Sequence, residues 1–153
     1  MVRFKSVEEI EHSAHSVPNV TAHAAMPNGA LVGLTYTGAS KVTKAPATGN
    51  ELYVVINTQV GDGEYETNKI IALGEYVNLF RLKDWVGKEL YVDESNVTGT
   101  YDDIAVGDTL TFDATTFKFK EDSATAGDVK FTVLAKGGLT TNYLTVLVDI
   151  ATA

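Results

Sequence analysis

The stretch that decides the fold runs from Ile70 to Phe112 and reads IIALGEYVNLFRLKDWVGKELYVDESNVTGTYDDIAVGDTLTF. Short apolar runs alternate in it with turn residues, among them glycines at positions 74, 87, 99 and 107. Such runs, closed by glycine turns, are typical of strands in small barrels and sandwiches. The chain's only tryptophan, Trp85, lies beside one of these turns, and we interpret its ring as a core plug at one barrel end. The stretch therefore predicts a mainly β protein, built as a small antiparallel β-barrel or sandwich.

The composition supports one β-rich domain. The 153 residues fit a single core. Threonine occurs 19 times and valine 18 times, and β-branched side chains favour a pleated strand over a helix. We expect the β-domain over residues 27–153, preceded by an N-terminal arm over residues 1–26.

The charge balance argues against nucleic acid as a partner. Twenty acidic residues against 12 basic ones give a formal net charge of −8, which repels a phosphate backbone. No stretch is apolar over the length that a membrane helix needs, and the start, MVRFKSVEEIEHS, has acids where a signal peptide needs apolar residues. We therefore expect a protein made in a cytoplasm, with no membrane partner. The absence of cysteine excludes disulfides, thiolate metal ligands and a cysteine nucleophile.

The predicted arm carries the signals of a short helix followed by an extended segment. Ser6 and Glu9 have the spacing of a capping box. A stripe of apolar residues at helical spacing follows, made of Val7, Ile10, Ala14 and Val17. Pro18 is expected to end this helix. His12 and His15 lie on another face, where one short helix supplies too few ligands for zinc, so we interpret them as part of a solvated face.

A second feature of the N-terminal part is a run of 29 residues, His12 to Ser40, without Asp, Glu, Lys or Arg. One interpretation is an uncharged loop that leads into a buried first strand at residues 31–37. The other is an arm that lies on another protein, because charged residues are depleted from the centre of interfaces. The second interpretation makes the apolar residues of the arm partner-binding anchors; these are Phe4, Val7, Ile10, Val17 and Val20.

The remaining chain reads as further strands. Residues 51–58, ELYVVINT, are apolar on both faces, which predicts a strand covered on two sides. Residues 109–120 predict a hairpin, and residues 128–135 and 143–150 alternate apolar and polar side chains as half-buried strands do.

Catalytic signatures are missing from the sequence. All three histidines fall within the first 23 residues, so the β-domain contains no histidine that could act as a general base. Carboxylate-only chemistry would need acids that face one another across a cleft, and the candidates are Glu75, Asp93, Asp102, Asp103 and Asp108. The acids around residues 93–103 do not have the spacing of a compact calcium loop. We predict no enzyme activity, no cofactor and no metal site.

Three segments resemble the small head decoration, or cement, proteins of tailed bacteriophages, in particular those from phages of low-GC Gram-positive bacteria. They are GEYVNLFRLKDWVGKELYVD at residues 74–93, AVGDTLTF at 105–112 and the C-terminal FTVLAKGGLTTNYLTVLV at 131–148. PNGALVGL, at residues 27–34, is similar to the entry of that family into its first strand. The likeness spans roughly residues 27–148, whereas residues 1–26 have no strong match.

The resemblance implies a non-enzymatic virion protein that is added to the outer face of the expanded head and stabilises the shell. The partner it implies is the major capsid protein lattice, with self-association into trimers as a further expectation. Two alternatives stay open, a tail or baseplate β module and a carbohydrate-binding β module. An exposed row of aromatic rings would favour glycan binding, and burial of those rings would oppose it; the tyrosines in question are Tyr36, Tyr53, Tyr65, Tyr76, Tyr91 and Tyr101.

Overall fold

The computed structural model describes residues 2–4, 16–57, 70–122, 124–138 and 142–151. The strands in these residues are β1 Val2–Phe4, β2 Ser16–Thr21, β3 Met26–Pro27, β4 Leu31–Thr37, β5 Ser40–Lys44, β6 Tyr53–Val55, β7 Ile70–Ile71, β8 Tyr76–Arg81, β9 Glu89–Asp93, β10 Thr109–Phe112, β11 Phe119–Glu121, β12 Val129–Lys136 and β13 Tyr143–Ile150. Short 3₁₀ turns cover Leu82–Trp85, Glu94–Asn96 and Tyr101–Asp103. The prediction of a mainly β protein is confirmed.

Six of the strands form an antiparallel sheet in the order β1-β9-β13-β12-β10-β11. The long strands β12 and β13 lie at its centre and pair from Val129↔Ile150 to Lys136↔Leu144, with a bulge between Val133 and Ala135. The alternation predicted for the last strand is confirmed at Leu144, Val146 and Val148, which are all fully buried. These side chains form one side of the larger core.

A second group of strands closes into a barrel in the order β2-β5-β4-β6-β8. Every neighbouring pair in it is antiparallel except β2 and β5, which run parallel. The barrel is therefore mixed, with one parallel pair where the sequence predicts antiparallel strands. The physical reason is the strand number, because alternating strand directions cannot close around a ring of five.

The part of the barrel wall formed by β4, β6 and β8 carries apolar side chains on both faces, because successive residues of a strand point to opposite sides and neighbouring residues here are apolar. Leu31, Val54 and Phe80 belong to the larger core, which lies against the six-stranded sheet. Their sequence neighbours Val32, Val55 and Leu79 belong to a second core on the other face of the same strands. The predicted covering of residues 51–58 on two sides is confirmed at β6.

Trp85 is buried, with 5% of its surface exposed, as the sequence predicts. Its ring packs edge-on against Phe80 at a centroid distance of 6.3 Å. Both rings belong to the larger core, together with residues of the six-stranded sheet. The ring thus lies between barrel and sheet, and the predicted position at a barrel end is corrected.

The described parts of the N-terminal segment are built into both sheets rather than forming a separate arm. β1 pairs with β9, Phe4 lying opposite Leu90, and Val2 is fully buried. β2 closes the barrel between β8 and β5. The boundary expected at residue 26 therefore does not separate an arm from the body in these residues.

The five predicted anchors fare differently in the structure. Val20 is fully buried in the second core, and Val17 is half-buried against that core. Because both side chains pack inside the protein, neither is an anchor for a partner in this conformation. Phe4 belongs to β1, and its backbone lies opposite that of Leu90 on β9. Val7 and Ile10, with most of the predicted helix, lie outside the described residues, and Val17 is part of a strand instead of the helix end.

Burial within the protein explains the absence of charge in the middle of the uncharged stretch, whereas residues 36–40 are uncharged and exposed. Residues 28–33 are all buried, and the turn before β4 leaves no room for a larger side chain. Gly29 has φ +92°, and a Cβ there would lie 2.7 Å from Val2 and 2.8 Å from the Asn96 amide. That amide donates to the Asn28 carbonyl oxygen at 2.8 Å. The turn therefore joins the N-terminal strand to the loop after β9.

Replacing Trp85 by alanine tests the core between barrel and sheet. We expect Trp85→Ala to lower the free energy of unfolding by about 3–5 kcal/mol, because a large buried aromatic side chain is lost and a cavity remains. Denaturant unfolding of the variant and the unchanged protein measures the difference. A loss below about 1 kcal/mol would contradict the burial.

Removing residues 1–26 tests whether the N-terminal strands belong to the body. A chain that begins at Pro27 lacks β1 and β2, so β5 and β8 lose their shared neighbour and the second core loses Val20. We expect this chain to show no cooperative thermal transition under conditions where the full chain does. A cooperative transition at the midpoint of the full chain would show that the barrel does not need β2.

Candidate functional site

One end of the barrel forms a pocket, which we call the barrel mouth. It is lined by Leu34, Tyr36, Lys44, Asn50, Glu51 and Tyr53 and has a volume of about 300 Å³. Alternation along the strands places polar groups here. Tyr53 belongs to the second core and Leu34 packs against it. Residues two positions apart along an extended segment point to the same face, as Leu34 and Tyr36 do, and Tyr53 and Glu51. Tyr36 and Glu51 therefore continue the inner face of the barrel outwards.

Arg81 completes the barrel mouth in the same way. It follows the core residue Leu79 by two positions on β8 and lies opposite Tyr53 on β6. Its guanidinium forms an ion pair with the Glu51 carboxylate, which also accepts a hydrogen bond from the Tyr53 hydroxyl at 2.9 Å. Two donors thus hold one carboxylate in a fixed orientation.

The ion pair is half-exposed, with 38% of the Arg81 side chain and 46% of the Glu51 side chain accessible. Solvent screens such pairs, so its contribution to stability is small. The main effect of the ion pair is to position the Glu51 carboxylate. A carboxylate accepts about four hydrogen bonds, so Glu51 keeps acceptor sites that point to the solvent.

Burial and the neighbouring carboxylate keep the Tyr53 hydroxyl protonated. Desolvation of the buried ring, followed by the hydrogen bond and the charge of Glu51, raises the pKa of Tyr53 to about 12. The phenol is therefore a neutral donor over the physiological range.

Three side chains around the pocket are available for a ligand. Tyr36 exposes 67% of its surface. The alkyl chain of Lys44 lies across Gly33, where a Cβ would come within 3.0 Å of it. The backbone amide of Asn50 donates a hydrogen bond to the Ala47 carbonyl oxygen at 3.2 Å. Within the described part of the chain, neither the Lys44 ammonium nor the Asn50 amide side chain makes a hydrogen bond.

The opposite end of β8 carries a different surface, which we call the apolar tip and which consists of Ile70, Leu73 and Tyr76. These three large side chains lie within seven consecutive residues, and all of them are exposed. Tyr76 begins β8 and Arg81 ends it, so the tip and the barrel mouth are separated by about 17 Å at about 3.3 Å per residue.

A tight turn holds the apolar tip in place. The amide of Glu75 donates to the Ala72 carbonyl at 3.1 Å, and Gly74 has φ +80°, which is the geometry of a type II turn with Leu73 at its corner. The Glu75 carboxylate accepts from the Ala72 amide at 3.0 Å. Gly74 and Glu75 also bond to the backbone of Ala22, each at 2.9 Å.

The carboxylates considered for catalysis serve local turns instead of meeting in one cleft. Besides Glu75, Asp93 accepts from the Ser95 amide at 2.9 Å, and Asp108 accepts from the Ala105 amide at 2.7 Å. Asp102 and Asp103 are exposed on a 3₁₀ turn. In the described ranges, no group of three or more His, Asp or Glu residues could hold a metal ion.

His23 is the histidine that the structure describes, and it packs inside the protein. Its Nδ1 lies 2.7 Å from the Thr43 hydroxyl, which also accepts from the His23 amide at 3.0 Å. The ring stacks edge-on against Phe117. Partial burial lowers the pKa of His23 through desolvation. His12 and His15 lie outside the described residues.

The tyrosines do not form one exposed row. Tyr53 and Tyr101 are buried, whereas Tyr36 and Tyr76 are exposed at the mouth and at the tip. Tyr91 is half-buried and stacks against Tyr143. Tyr65 lies outside the described residues. The sequence reasoning missed Glu51 as a partner of Tyr53, although their spacing of two residues within an apolar run is the signal of a shared strand face.

A pH titration tests the geometry of the barrel mouth. We expect Tyr53 to ionise with a pKa of about 12, seen as the tyrosinate absorbance of the unchanged protein minus that of Tyr53→Phe. This pKa is raised above the ordinary value of 10.0. The protonated Tyr53 hydroxyl therefore stabilises the folded state fully below about pH 10, and this contribution is lost as the pH rises through 12. Glu51→Gln should lower the Tyr53 pKa without restoring the ordinary value, because burial is the larger cause. A Tyr53 transition near pH 10, with circular dichroism showing an intact fold, would contradict the contact.

Comparison with known proteins gives no relative from which the site could be interpreted. No protein-family model, no curated protein and no solved structure matches the chain. A search of the described residues for a helix long and apolar enough to cross a membrane finds none.

Proposed function

We propose that this protein is a head decoration protein of a tailed bacteriophage, a non-enzymatic component that binds the outer face of the capsid and stabilises it. The sequence resemblance at residues 74–93 and 105–112 motivates the proposal. The structural observation that carries it is the apolar tip, because large exposed apolar side chains held by a rigid turn are typical of a protein-binding surface.

The tip is suited to binding because it is ordered before a partner arrives. Its turn is fixed by Gly74, by the Glu75 carboxylate and by two backbone bonds to Ala22. A surface that is already rigid loses little conformational entropy on binding. Leu73, at the corner of the turn, is the residue that we expect to insert into a pocket of the major capsid protein.

The charge of the protein is compatible with a place on the outside of the shell. The net charge of −8 disfavours contact with packaged DNA. The apolar tip confines the proposed contact to one end of the molecule, so a single copy binds weakly. Copies that associate with one another, for example as trimers, engage several capsid subunits at a high effective concentration and stabilise the lattice together.

Co-sedimentation with capsid shells tests the proposal. Shells assembled from the major capsid protein of the encoding genome, without decoration protein, are mixed with the unchanged protein and with Leu73→Asp. We expect Leu73→Asp to weaken binding by at least about tenfold, because loss of a central apolar anchor costs about 2 kcal/mol or more.

Val106→Asp is the matched control. Val106 is 62% exposed and Leu73 is 71% exposed, but Val106 precedes β10 in the other sheet, away from the tip. The control should bind as the unchanged protein does. Failure of the unchanged protein to bind any shell would overturn the capsid proposal and favour a tail or baseplate module. Equal binding by Leu73→Asp would remove the tip from the interface.

A further inference from the structure

We propose that the barrel mouth is a binding site for a saccharide, with a pyranose ring seated on Tyr36 and its hydroxyl groups paired with Glu51, Asn50 and Lys44. This site goes beyond the capsid interaction. It lies at the other end of β8 from the apolar tip, so each end can be tested without the other.

The exposed ring of Tyr36 supplies the platform. An aromatic ring has a negative face, and the C–H groups on one face of a pyranose carry small positive charges, so the two faces attract and exclude water from between them. Tyr36 lies at the rim of the pocket with 67% of its surface exposed. Its ring is therefore accessible to a sugar that enters the pocket.

The polar groups of the mouth match the hydroxyls of a sugar. Glu51 is a fixed acceptor, because Tyr53 and Arg81 hold its carboxylate while leaving acceptor sites open. Asn50 supplies both a donor and an acceptor, and Lys44 supplies a charged donor. A hydroxyl group both donates and accepts, so a sugar can satisfy all three side chains, whereas an apolar ligand would leave them unpaired.

The size of the pocket restricts the ligand. A volume of about 300 Å³ is at the lower end of the range for small-molecule sites. The mouth therefore accommodates one sugar ring or a disaccharide unit, and a longer glycan would extend into the solvent. Of the lining residues, Tyr53 belongs to the second core and the half-buried Leu34 packs against it, so this part of the pocket is held in place by the fold.

If the proposed function holds, the positions of the tip and the mouth at opposite ends of β8 determine which of them faces away from the capsid. A molecule attached to a capsid through the tip at Tyr76 presents the mouth, at the Arg81 end of β8, away from the attachment surface. The saccharide would then be one that lies outside the virion, such as a surface glycan of a cell.

Binding is tested on the free protein with four trisaccharides of different chemistry: maltotriose, cellotriose, tri-N-acetylchitotriose and trigalacturonic acid. Chemical-shift changes of backbone amides locate the site and give the affinity. We expect at least one trisaccharide to bind with a Kd of millimolar order or tighter, with the largest shifts at residues 34–36 and 50–53. Tyr36→Ala should weaken that binding about tenfold or more, and Glu51→Gln should weaken it less.

Val106→Ala is the control, because Val106 is 62% exposed and belongs to neither the barrel mouth nor the apolar tip. It should bind the trisaccharide as the unchanged protein does. No binding by any of the four, shifts that map away from the mouth, or equal losses in Tyr36→Ala and Val106→Ala would each overturn the saccharide site. Because this assay contains no capsid, its failure leaves the tip proposal untouched, and a failed co-sedimentation leaves the saccharide result untouched.

Discussion

The structure depends on a wall of strands that is buried on both sides. β4, β6 and β8 separate the larger core, which they share with the six-stranded sheet, from the second core of the barrel. Neighbouring residues at the centre of this wall, such as Val54 and Val55, contribute to different cores. Burial of apolar surface is the main favourable term in folding, so the two cores stabilise the same strands and barrel and sheet behave as one body. The barrel mouth and the apolar tip lie at opposite ends of β8 in this wall.

The strand pattern could be predicted because it depends on local sequence. Alternation in β13 and the doubly apolar run at β6 are visible in single stretches of eight residues. The burial of Trp85 follows from its size and from its place between apolar runs. The position of the Trp85 ring between barrel and sheet could not be predicted in this way. That position depends on which face of β8 carries Phe80 and on the sheet that packs against this face.

The pairing of distant segments could not be predicted from such patterns. The interaction of Glu51 with Arg81 links residues 30 positions apart and exists only because β6 pairs with β8. In the same way, Val17 and Val20 have the spacing of a helix face or of exposed anchors, yet tertiary pairing places them in a strand. A missing charge has two physical causes, burial inside a domain and burial in an interface, and a sequence alone does not separate them.

The pairing of the first strands also has a consequence for how the protein is made. Val2 lies opposite Val92 on β9, and β2 needs both β5 and β8 as neighbours. During synthesis β1 and β2 leave the ribosome well before β9 and β8, although the other neighbour of β2, β5, follows soon after it. Contacts between residues so far apart in sequence slow folding, because the entropy cost of closing the intervening loop comes before the contact can stabilise the chain. β1 and β2 therefore cannot complete their pairing until β8 and β9 are available, and until then their strand edges are open to other chains.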